Sequence, residues 1–181
     1  MFRLLKTEEI ARVQPDIYRT LPKIPVVIVL DGVRSLHNVG SVFRTSEAYC
    51  VEQLILCGIT ATPPNAEIHK SALGAEFNVA WSHSNNTINA CQRLRQEGYR
   101  LVAVELAEGS TSITNYCFDP AARYALIFGN EVSGVQQAVL DLCEACVELP
   151  QFGTKHSLNV SVAAGIAIWE TWKQLGSNTE K

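Results

Sequence analysis

Most of what this 181-residue sequence lacks is informative. It has no charge excess: 15 lysines and arginines face 18 aspartates and glutamates, a net charge of −3. That balance excludes a wholesale electrostatic nucleic-acid binder, though not a local basic patch or a groove completed by a second subunit. It has no long hydrophobic run. The longest, residues 160–169, is about half the ~20 residues of a membrane span, so no membrane association is expected. No signal peptide is read at the start, because "MFRLLKTEEI" turns acidic before a hydrophobic segment forms. No second Cys/His pair accompanies the C-x-x-C of Cys143 and Cys146, so no metal site is expected. No G-x-G-x-x-G follows the first apolar strand, which disfavours a dinucleotide site of the Rossmann type.

What is present is ordinary for one globular domain: 47% hydrophobic and 18% charged residues, enough to bury a core without staples. The six cysteines fall mostly in apolar runs and read as free, buried thiols of a reducing cytoplasm. Residues 1–22 read as a leader with a short charged helix, Thr7 as its cap and Pro15 near its end. Residues 176–181 read as a tail, leaving 23–175 as the domain. Within it, "VVIVLDG" is a continuous Val/Ile/Leu run of the kind buried on both faces of a parallel sheet. Asn38 suits the N-cap of the helix that follows. The alternation then repeats: "QLILCG", "NVAWSH", "RLVAVEL", "YALIFGN" and "CVELP" as strands; "AEIHKSALGA", "TINACQRLRQEG" and "VQQAVLDLC" as helices; and a last helix from about Leu158. This is the pattern of an α/β fold, a mostly parallel sheet with helices on both faces.

Ligands in such sheets bind beyond the carboxyl ends of the strands. Those ends lead into loops rich in Gly, Asn, Ser or charge, above all "FGNEVSGV" and "LPQFGTKHSLN" in the second half of the chain. Gly129 could admit a ligand to the backbone or simply end a strand, and Gly153 could be a turn or a hinge. Glu131 could hold a ligand or be a solvated charge. Arg44 admits two readings: a surface pair with Glu47, worth a few tenths of a kcal/mol, or a phosphate or sugar contact backed by free N–H groups at Gly40 and Ser41.

Three stretches together carry more than any one. Asn38, Gly40 and Arg44 form N-x-G-x-x-x-R; Gly129, Asn130, Glu131 and Gly134 form G-N-E-x-x-G; Pro150, Gly153 and residues 157–163 form P-x-x-G followed by S-L-N-V-S-V-A. In this order and spacing, from about Ile24 to Trp172, the chain resembles the SpoU (TrmH) family of RNA ribose 2′-O-methyltransferases, within the SPOUT superfamily. The resemblance implies a C-terminal deep trefoil knot, which periodicity alone does not reveal. It also implies a homodimer with the site at the interface, and S-adenosylmethionine as cofactor. Cofactor contacts would fall on Glu105, Leu106, Ala107, Gly129, Leu149, Ser157, Leu158 and Asn159.

The implied reaction is attack of a ribose 2′-oxygen on the sulfonium methyl, in structured RNA, with tRNA placed slightly ahead of rRNA. Arg44 would stabilise the developing oxyanion rather than act as base, since a guanidinium with a pKa above ~12 does not deprotonate. Asn38 would orient Arg44 or the ribose, while Glu131 and Asn159 hold the geometry. Arg34, Arg44, Lys70, Lys155 and His156 are the candidate RNA contacts. A catalytically idle RNA-binding relative and a base-methylating SPOUT enzyme are the alternatives.

Overall fold

The computed structural model describes residues 2–176. The Thr7 side chain and residues 177–181 of the expected tail lie outside the described residues. Instead of ending a helix, Pro15 begins one: α1 spans Pro15–Thr20, with Pro in its first turn and a single 3-10 turn, Thr7–Glu9, upstream. Proline lacks the N–H that a first-turn position leaves unpaired in any case. Tyr18 docks α1 on the domain, its ring 3.5 Å below the Lys23 ammonium.

Seven strands form one sheet: β1 (Ile24–Asp31), β2 (Val51–Cys57), β3 (Trp81–Ser84), β4 (Tyr99–Val104), β5 (Thr111–Ser112), β6 (Arg123–Phe128) and β7 (Ala145–Glu148). Their order is β3-β2-β1-β6-β4-β7-β5, and every pairing is parallel. The two-residue β5 has no apolar run to betray it in the sequence.

β1 shows why the helices lie on both sides. Val26, Ile28 and Leu30 face one core and Val27 and Val29 the other, all fully buried. Each such side chain contributes about 1.5–3 kcal/mol. The first core is closed by α2 (Leu36–Ala48), α3 (Ala66–Ala72) and α6 (Val160–Leu175); the second by α4 (Thr87–Gln96) and α5 (Gln137–Leu140). α5 is a single turn, shorter than "VQQAVLDLC" suggests.

The last helix is not uniformly buried. Val160, Ala164, Ala167 and Ile168 enter the core, whereas Val162, Ile166 and Trp169 form an exposed apolar stripe. Trp169 and Trp172 stack at 5.2 Å, and both meet Tyr49 at the end of α2, at 5.6 and 5.5 Å. No described helix is long and apolar enough to cross a membrane.

Candidate active site

The chain runs outward from β1 through β2 to β3, then returns to the other side of β1 to lay down β4 and the rest of the sheet. At such a reversal the loops after neighbouring strands diverge and leave a crevice. A cavity of about 810 Å³ opens on the returning side of that reversal, at the carboxyl ends of β4, β6 and β7, with no β1 residue in its lining. Val104, Phe128, Leu140, Val160 and Ala163 give it apolar walls. Its charged lining is acidic: Glu105, Glu108, Glu131 and Glu148, against one imidazole, His156. Glu105, Leu106, Ala107, Gly129, Leu149, Ser157, Leu158 and Asn159 all line it.

Two loops are laced together beside this cavity. The Asp31 carboxylate, only 4% exposed, accepts from the Gln136 amide at 3.0 and 3.1 Å and from the Thr87 hydroxyl at 2.5 Å. No cation among the described residues pairs with it, so neutral donors compensate its desolvation. One step along, the Asn130 amide donates to the Gly32 carbonyl at 2.6 Å. Glu105 ties in the third strand by accepting from the Val135 N–H at 3.0 Å. What approaches Gly129 is the chain itself: a Cβ there would meet the Gly134 carbonyl carbon at 2.1 Å and the Val135 nitrogen at 2.2 Å. Glycine is required by loop closure, apart from any ligand.

The helix carrying the first motif begins earlier than its sequence suggests. Ser35 caps α2, accepting from the Asn38 N–H at 3.3 Å, and this frees the Asn38 side chain. Gly40 and Ser41 therefore lie past the first turn, where N–H groups are already used within the helix. The anion site expected at Gly40 and Ser41 is thus not available, and Gly40 instead lets α3 approach, its missing Cβ standing 2.3 Å from the Ile68 carbonyl oxygen.

Asn38, 8% exposed, joins the three motifs. Its amide donates to Glu131 at 3.0 Å, and its oxygen accepts from Asn159 at 3.0 Å and from the Ser161 hydroxyl at 3.4 Å. Asn159 also caps α6 through the Ser161 N–H at 2.8 Å. Partial burial pushes the Glu131 pKa up, but the N–H groups of Arg34, Ser35 and Glu131 itself and the Asn38 amide outweigh it, leaving the carboxyl below its ordinary value. These bonds engage both ends of the Asn38 amide, so the side chain is a connector, and it makes no bond to Arg44.

Arg44 stands apart. It is exposed on α2, about 9 Å along the axis from Asn38, and pairs with no described residue. Glu47, its expected partner, accepts from Asn78 at 2.6 Å instead. Arg34 gives its backbone N–H to Glu131 at 3.1 Å and keeps its side chain exposed. Lys70 is ion-paired with Glu67 at 2.6 Å. Lys155 and His156 are exposed on the loop before α6, and of these two only His156 lines the cavity. Asp31, Gln136 and Ser161 escaped the sequence reading; the one available signal was an acid ending an otherwise apolar strand. The C-x-x-C thiols are engaged separately, Cys143 with the Val139 carbonyl at 3.2 Å and Cys146 with that of Glu105 at 3.4 Å. Burial pushes the Cys143 thiol up to about 12.

Residues 25–169 match the family described as the SpoU rRNA Methylase family. The chain belongs to this family. Among relatives, it is 30% identical to the 23S rRNA (guanosine-2′-O-)-methyltransferase RlmB of Neisseria meningitidis, over 92% of this chain and 65% of that protein. Among SpoU-like structures, the AdoMet-bound rRNA methyltransferase of Sinorhizobium meliloti superposes with a TM-score of 0.78 at 28% identity, covering 87% of this chain and 60% of the other. A structure described by 2-OH methylation of C/U34 on tRNA superposes with a TM-score of 0.73 at 26% identity, over 83% of this chain and 96% of that one. The chain spans about two thirds or less of the length of the curated relatives it matches, 65% and 60% for two of them.

Proposed function

We propose that this SpoU-family chain transfers a methyl group from S-adenosylmethionine to a ribose 2′-hydroxyl of RNA, with residues 23–175 as the catalytic unit. One observation carries the reading: every residue that the family resemblance assigns to the cofactor lines the same acid-walled cavity. Apolar walls suit an adenine and a thioether-like chain, and the carboxylates suit a sulfonium cation and ribose hydroxyls. Such a lining repels a polyanion, so the RNA backbone must approach from outside it. The cofactor, when bound, supplies an activated methyl group.

The chain's own residues do the rest. The Glu131–Asn38–Asn159 series fixes the loops around the cavity, and pre-set geometry supplies much of the rate in such a transfer. Arg44, without a partner among the described residues and outside the cavity of its own subunit, serves the site of a second copy, where its guanidinium steadies the 2′-oxyanion and an adjoining phosphate. The exposed stripe of Val162, Ile166 and Trp169 supports a homodimer, because an apolar strip along a helix is costly to leave in water. The deep C-terminal knot belongs to the same reading, supported by the fold likeness to SpoU structures. Free thiols fit a reducing, cytoplasmic setting.

Ribosomal RNA takes precedence over tRNA as substrate class, since several relatives at 30–31% identity are named for guanosine 2′-O-methylation of 23S rRNA. The structure concerned with C/U34 of tRNA keeps tRNA as the second reading. Mapping 2′-O-methylation across total RNA from a deletion strain and its parent tests both: one lost rRNA site is expected, and a lost tRNA site selects the second. Calorimetry with S-adenosylhomocysteine tests the activity itself, and absence of binding would sink it in favour of an idle RNA-binding relative.

A further inference from the structure

A second groove, of about 280 Å³, lies away from the cavity, between the loop entering α3 and the 3-10 turn Ala75–Phe77 that follows it. Pro64, Asn65, Ala66, His69, Glu76 and Phe77 line it. Its chemistry differs from that of the main cavity. Phe77 is 61% exposed, so its ring is open to a ligand from solvent. The His69 ring stands 5.9 Å from it. Below them Glu76, 4% exposed, takes the His69 Nδ1–H at 2.5 Å and the Gly74 N–H at 3.0 Å. A buried carboxylate of this kind fixes both the tautomer and the plane of the imidazole, so Nε2 is presented as a polar group with no partner among the described residues. Asn65 accepts the Glu67 and Ile68 N–H groups through its oxygen, leaving its NH2 without a partner among the described residues.

We propose that this groove is a subsite for a single-stranded nucleobase of the RNA substrate, stacked on Phe77 with its edge read by His69 Nε2 and the Asn65 amide. An exposed aromatic ring beside fixed polar groups is how proteins hold splayed-out RNA bases. The Arg19 guanidinium borders the groove, donating to the Phe77 carbonyl at 3.3 Å, and Lys70 lies on the same helix as His69. Both now pair with exposed acids, Asp16 at 3.1 Å and Glu67 at 2.6 Å. Surface pairs of this kind are worth little and exchange readily for phosphate. Position fits as well. The segment packs on α2, with Ser71 donating to the His37 carbonyl at 3.0 Å and Asn78 to Glu47, so the groove flanks the helix that carries Arg44. RNA lying across Arg44 reaches the groove without entering the acidic cavity. The inference rests on the RNA-methylating reading, which it extends to the nucleotides flanking the target.

The test uses the full chain and labelled single-stranded RNA 12-mers, of adenosine only and of uridine only, read by fluorescence anisotropy. Phe77→Ala is expected to weaken binding about 5- to 100-fold and Phe77→Trp to retain it, as stacking requires. His69→Ala is expected to shift the preference between the two oligomers more than the overall affinity. S-adenosylhomocysteine affinity, measured in parallel, is expected to stay unchanged in all three variants. RNA affinity within twofold of wild type for Phe77→Ala would overturn the subsite. So would loss of a dimer in light scattering on that substitution, since the groove would then be a contact between copies. Failure of the methylation reading shows separately, as wild-type protein that binds the oligomers through Phe77 yet takes up no S-adenosylhomocysteine.

Discussion

Asn38 and Asn159 lie 121 residues apart in the chain and are joined side chain to side chain at 3.0 Å. The bond links the first turn of α2 to the cap of α6, and Asn159 lines the cavity at the same time. Asn159→Ala removes both the cap and a donor to a buried oxygen. A lost cap costs about 1 kcal/mol, or some 2–4 °C in a chain of this size. Thermal melts should show that modest shift without unfolding, while S-adenosylhomocysteine titration shows weakened binding. Unchanged affinity would remove Asn159 from the cofactor site.

Arg44→Ala should behave in the opposite way. With no described partner to lose, stability should stay within about 0.5 kcal/mol of wild type, and cofactor affinity should hold within twofold. Methyl transfer should nearly vanish. If Arg44 serves the neighbouring subunit, mixing Arg44→Ala with Asn159→Ala chains should restore part of the activity that neither has alone.

Glu131 predicts a pH response. Its folded pKa lies below the unfolded carboxylate value of about 4.3. Its stabilisation is therefore complete above that value and disappears as pH falls through the lowered one. Urea midpoints of wild type and Glu131→Gln should differ at pH 7 and converge toward pH 3. A gap that stays constant with pH would show that its charge is not what the N–H groups hold.

Asp31 and Gln136 permit an exchange of roles. Asp31→Asn sets two amides against each other in a buried place and should cost about 1–3 kcal/mol. Adding Gln136→Glu restores a donor–acceptor pair: the introduced amide donates to the new carboxylate, and its oxygen still accepts from Thr87. Denaturant midpoints and cofactor affinity should fall in the single variant and recover in the double. A double variant no better than the single would make Asp31 a matter of volume.

Much of this was legible because periodicity reports burial. The runs of β1 and β6 are apolar on both faces, as central parallel strands are. β5, the one-turn α5 and the start of α1 were not legible, because short elements are decided by neighbours and not by their own pattern. The cavity wall was legible through the three motifs taken together. Its lacing was not: Asp31 meets Gln136 and Asn38 meets Asn159 across more than a hundred residues, and nothing local in a sequence reports such meetings. Arg44 shows the same limit, since its motif names it while none of the described residues pairs with it.

The late position of α6 also sets a timetable. Val160, Ala164, Ala167 and Ile168 complete the core beneath β1, and the stretch just before them walls the cavity. Until synthesis has passed residue 168, the face that α2 and α3 cover only in part stays open where α6 packs, and the cavity has one side missing. Nascent chains should therefore acquire ligand binding abruptly, when this last helix clears the ribosomal tunnel, and stalling before that point leaves a sheet open to aggregation.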